Sequence, residues 1–150
     1  MLLEPNLENG CFGCGGANAR GMRLTFEQDE KRRCIRGVFL FGEEYQGAPG
    51  FIHGGIIATL LDEAMGKVNR FRNVRAVTAE LVVEYLKPVP VGEDLVVEAH
   101  EVDKKGRNLR HFGEIRDGRG QVLARGHGRF VEIDPAKFAA GAKKTSAKKK

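Results

Sequence analysis

No stretch of this 150-residue chain approaches the roughly 20 consecutive apolar residues that cross a bilayer as a helix. Its first residues, MLLEPNLENG, have neither the basic start nor the long apolar core of a secretory signal, so a cytoplasmic location is expected. Cysteine is scarce and odd in number: Cys11, Cys14 and Cys34. That argues against a disulfide framework. CFGC at 11–14 has zinc-knuckle spacing, but a structural zinc takes four ligands and there is no second CxxC and no HxxxH. A folded turn without a metal is expected. Acid is missing from residues 139–150 (AAGAKKTSAKKK), whose five Lys equal the whole formal net charge of +5 and leave residues 1–138 neutral. A basic nucleic-acid-binding body is therefore excluded, and the tail reads as disordered.

The length fits one domain with a sizeable core. A turn-rich N-terminal segment over 1–21 is expected to pack on a domain spanning 22–138, followed by the tail at 139–150. Within the domain, 22–27 and 34–41 read as short strands, and GEEYQGAPG at 42–50 as a loop. Apolar residues then recur at helical spacing from Ile56 to Val68, predicting a helix from about His53 to Asn69. Beyond it, 74–89, 93–103, 107–117 and 121–133 alternate and are rich in β-branched residues, predicting four antiparallel strands as a meander. One long helix before such strands means an α+β domain with the sheet curled around the helix.

The helix carries the informative chemistry. At 100° per residue, with Ile56 at zero, Leu60, Ala64, Ile57, Val68, Leu61 and Met65 fall between about 40° and 180°, a core-facing stripe. Gly55, Ala58, Thr59, Asp62 and Gly66 form a second face of small residues with one carboxylate at its centre. Small residues admit another backbone or a slender ligand, whereas a solvated face more often carries Lys, Glu and Gln. Glu63 and Lys67 are spaced for a surface ion pair. Asp62, a poor helix former in mid-helix, is therefore the acid expected to do chemistry. At the helix start, His53-Gly54-Gly55 offers N–H groups that no helical carbonyl satisfies, suited either to a carbonyl or oxyanion or simply to a tight turn. Gly54 and Asp62 are eight residues apart, roughly 12 Å along one helix, so they cannot reach one carbonyl from the same chain. If both act, two chains must share the site.

GFIHGGIIATLLDEAMG, TAELVVEYLKPVPVGEDL and GQVLARGHGRFV, together with CFGCGGANARGMRL, resemble hotdog-fold thioesterases of the phenylacetic-acid-degradation and human thioesterase superfamily member type. The resemblance spans roughly residues 11–133 and implies a homodimer, or a dimer of dimers (a homotetramer), with sites at the interface. It implies an acyl-CoA substrate hydrolysed without metal or cofactor. Asp62 would be general base or nucleophile and Gly54 the amide holding the thioester oxygen, with Gly55 and His53 alongside. Thr78 would orient the water. Several members carry an Asn or Gln six residues before the HGG histidine. Here that position is Gly47, and Gln46 stands one residue earlier, so either Gln46 takes the role or it is empty. Lys104, Lys105, Arg107 and Asn108 at the hairpin, or Arg70, Arg72 and Arg75 after the helix, would meet the CoA phosphates. A hotdog hydratase or dehydratase would need a His in the 42–50 loop, which has none; a non-catalytic acyl-CoA-binding module is the other alternative.

Overall fold

The helical periodicity folds as α1, Gly54–Val68, in a computed structural model that describes residues 1–139. The Lys-rich stretch expected to be disordered lies outside the described residues from 140 onward. His53 caps α1, its Nδ1 accepting from the Gly55 N–H at 2.9 Å. Ile57, Leu60, Leu61, Ala64, Met65 and Val68 are buried, as the wheel predicts. Burying each of Leu60, Leu61 and Met65 contributes about 1.5–3 kcal/mol.

Seven strands wrap the helix: β1 Leu2–Leu3, β2 Phe26–Asp29, β3 Cys34–Leu40, β4 Ala76–Tyr85, β5 Asp94–Lys105, β6 Asn108–Arg116 and β7 Val122–Glu132. All neighbours are antiparallel. The order β1-β2-β3-β5-β6-β7-β4 corrects the expected meander. Of the four strands expected as a meander, only β5, β6 and β7 follow one another in space; β4 lies at the far edge against β7. The cause is local to 86–93, where Pro88 and Pro90 lack N–H groups and cannot extend a ladder. That segment pairs with the loop before α1 instead, through Ile52 N–H to Val89 O at 2.8 Å and a bridge between Phe51 and Pro90.

The expected strand at 22–27 is also displaced. Arg23 takes a left-handed backbone (φ 51°), which interrupts extension, and β2 begins only at Phe26. The pair β1 was not expected at all. Gly113 and Gly126 face each other across β6 and β7 beneath the helix. A β-carbon at Gly126 would lie 2.9 Å from Met65 Cε, and one at Gly113 would lie 3.3 Å from Leu61 Cδ2. Their bareness lets α1 sit deep in the curled sheet.

Candidate active site

Asp62 projects from the middle of α1, half-buried, and its Oδ1 accepts from the Thr78 hydroxyl at 2.7 Å. Burial pushes the Asp62 carboxyl above its ordinary range; the Thr78 hydrogen bond pulls it partly back, and the neighbouring Glu63 charge adds to the rise. A cavity of about 320 Å³ opens beside it, lined by Asp62, Gly66, Lys67, Thr78 and Phe130 among others. Thr78 reaches α1 because β4 is irregular there: Thr78 pairs with Phe130 and Glu80 with Arg129, leaving Ala79 as an extra residue. Such a bulge switches which face of the strand later residues occupy. Seven positions on, Tyr85 also reaches α1, its hydroxyl donating to Gly54 O at 2.7 Å. An odd separation would put the two on opposite faces of a regular strand. The bulge at Ala79 lets one strand hold α1 at both Asp62 and Gly54.

At the helix start the three expected residues behave differently. The Gly55 N–H is taken by His53 Nδ1, and those of Ile56 and Ile57 by His53 O. Gly55 is thus corrected from free donor to part of the cap. The Gly54 N–H has no acceptor among the described residues. A cavity of about 750 Å³ lies against it, lined by Gly47, Phe51, His53, Gly54, Tyr85 and Leu86 among others. Gly47 touches this cavity, and a β-carbon there would approach His53 Cα to 3.1 Å. Gln46 does not line it; its Oε1 accepts from the Gly50 N–H at 3.2 Å, which ties the amide to its own loop. Tyr85 is the residue that sequence reasoning missed.

The cavity at Asp62 and the cavity at Gly54 share no lining residue. Eight residues of continuous α1 separate them, roughly 12 Å along its axis. Of the candidates for the CoA phosphates, Arg107 donates to Glu132 O, Lys104 pairs with Glu132, and Asn108 accepts from Arg129. Lys105 is exposed on the hairpin. Arg72 is held by both oxygens of Glu101 at 2.7 and 2.6 Å. Arg70 and Arg75 line a cavity of about 590 Å³ that shares Gly66, Lys67 and Ala76 with the Asp62 cavity. The expected ion pair of Glu63 with Lys67 does not form: Glu63 accepts from Cys11 Sγ and Lys67 donates to Cys14 Sγ. The N-terminal turn covers that helix face and supplies other partners. At the outer edge, Val82, Tyr85 and Leu86 of β4 and its continuation are about half exposed.

A single helix seated in a curled antiparallel sheet is the hotdog architecture. The chain belongs to the thioesterase superfamily, whose sequence pattern matches residues 49–124. It is 34% identical over 115 residues to the rat acyl-coenzyme A thioesterase THEM4, covering 76% of this chain and 49% of that one. It is 38% identical over 69 residues to human acyl-coenzyme A thioesterase 13, covering 45% of this chain and 49% of that one. The chain thus spans about half the length of the curated relatives it matches. Among solved structures, a thioesterase superfamily protein superposes with TM-score 0.75 at 32% identity, over 81% of this chain and 60% of that one. A Streptococcus mutans protein bound to acetyl CoA superposes with TM-score 0.65 at 22% identity, over 73% and 86% of the two chains, a likeness of fold.

Proposed function

We propose that the protein is an acyl-CoA thioesterase whose sites are assembled from two chains. The observation that carries the reading is the pairing of a half-buried Asp62, whose carboxyl burial pushes above its ordinary range, with an unpartnered Gly54 amide on one helix, too far apart to act on one carbonyl. In a dimer paired along the exposed β4 edge, Asp62 of one chain would face Gly54 of its partner. An edge strand with half-exposed Val82, Tyr85 and Leu86 favours such pairing.

The Gly54 N–H and the helix dipole behind it polarise the thioester carbonyl. Asp62 takes a proton from a water held by Thr78, and the water oxygen attacks the carbonyl carbon. The tetrahedral oxyanion rests on the Gly54 amide and collapses, breaking the carbon–sulfur bond. The CoA thiolate leaves and takes up a proton, giving free acid and CoA. Two solved variants of a Streptococcus pneumoniae hypothetical thioesterase replace an Asp and a Thr sixteen positions apart, the spacing of Asp62 and Thr78. Arg70 and Arg75 line the cavity adjoining that of Asp62 and suit anionic groups of the substrate.

The test is thiol release from aryl-, short-, medium- and long-chain acyl-CoAs. Release that falls by about 10²–10⁴ in Asp62→Asn supports the reading. Tight binding of acyl-CoA with no release above that variant would make the protein a binding module instead.

A further inference from the structure

The expectation of no metal rested on the absence of a second ligand pair near CFGC. The fold supplies a third ligand from elsewhere. The turn at 11–14 lies on α1 so that Cys11 Sγ donates to Glu63 Oε1 at 3.4 Å. The two thiol sulfurs and a Glu63 oxygen all lie within 4.8 Å of one another, each residue half-buried. We propose that Cys11, Cys14 and Glu63 bind one thiophilic divalent cation, zinc, clamping the N-terminal turn onto α1.

The distances suit the ion. Zinc–sulfur bonds of about 2.3 Å and zinc–oxygen bonds of about 2.0–2.2 Å at the tetrahedral angle set the sulfur–oxygen edge near 3.5 Å. The 3.4 Å between Cys11 Sγ and Glu63 Oε1 already matches that edge. The sulfur–sulfur edge of such a site is about 3.8 Å, so the thiols close by about 1 Å at most. Gly13 lies where the carboxylate must approach: a β-carbon there would come 2.5 Å from Glu63 Oε1. The turn itself is already braced, Cys11 N–H donating to Asn9 Oδ1 and Gly15 N–H to Cys11 O, both at 2.9 Å. Charge also closes. Two thiolates and one carboxylate carry three negative charges against two on the ion. Lys67, whose ammonium donates to Cys14 Sγ at 3.1 Å, supplies the last positive charge while holding the sulfur. Binding releases the two thiol protons to solvent. Water fills the fourth position, so the site is an open one; its ligand Glu63 borders the Asp62 cavity but is not the acid assigned to hydrolysis.

Cobalt(II) is the probe. The reduced full chain is expected to take up one Co²⁺ with tetrahedral d–d bands and a thiolate-to-cobalt charge-transfer band, all displaced by Zn²⁺. Cys11→Ser and Cys14→Ser should lose the charge-transfer band, and Cys34→Ser should keep it. Glu63→Gln should keep the band but bind about tenfold or more weakly. Should a serine variant fail to fold, alkylation of the wild-type protein decides the matter. Zinc should protect Cys11 and Cys14 from iodoacetamide, as mapped by mass spectrometry. No charge-transfer band in the wild type, a band that survives Cys14→Ser, unchanged affinity in Glu63→Gln, or alkylation indifferent to zinc would each overturn the proposal.

Discussion

At the residue scale the account rests on one proton and one amide. Burial holds Asp62 above the ordinary carboxylate range, and a general base must be ionised to act. Activity is therefore expected to fall as pH drops through that raised value, on an acid limb above the usual range for Asp. Thr78 donates to the ionised carboxylate and favours it, so Thr78→Val should move the limb to still higher pH as well as lowering kcat. A kcat/KM profile whose limb stays put in Thr78→Val would remove Thr78 from the site. For the amide, Gly54→Pro is a sharp probe. Proline suits the first helical position, and His53 (φ −58°, ψ 136°) already has the backbone a following proline requires. The variant should fold, judged by circular dichroism, while kcat falls by about 10²–10³ through loss of a single oxyanion donor. Full activity would mean that another group holds the oxygen.

At the element scale the decisive feature is the bulge in β4. Inserting one alanine after Val82, in the regular part of β4, would add an odd step to the strand, so Thr78 and Tyr85 could no longer both face α1. The insertion is expected to keep the circular-dichroism spectrum of the fold yet lose about 10²-fold or more in turnover. Near-normal turnover would show that β4 need not hold both points. This bulge also marks where the sequence stopped being legible. The helix and its apolar face could be read because 3.6-residue periodicity is local, and Asp62 stood out because its neighbours on the wheel are small. The extra residue at Ala79, the Tyr85 bond to Gly54 and the placement of β4 beside β7 all depend on pairing with distant strands, which no local pattern records. Glu63 misled for the same reason: Lys67 is its neighbour in sequence, but the N-terminal turn is its neighbour in space. Thr78 drew attention through family resemblance alone, since an isolated strand Thr carries no signal of its own.

At the scale of the whole molecule, the proposed function makes the Asp62 and Gly54 cavities of one chain two half-sites. The Asp62 cavity and the Gly54 cavity lie along the same helix without sharing a residue, and the β4 edge between the sheet and solvent keeps apolar side chains uncovered. Co-expression of Asp62→Asn and Gly54→Pro chains with different affinity tags, followed by isolation of the doubly tagged species, tests directly whether two chains share each site. In a two-fold dimer each mixed molecule has one site with both defects and one with neither, so about half of wild-type kcat per mixed dimer should return. Mixed dimers as inactive as either parent would contradict the account and return the whole site to a single chain.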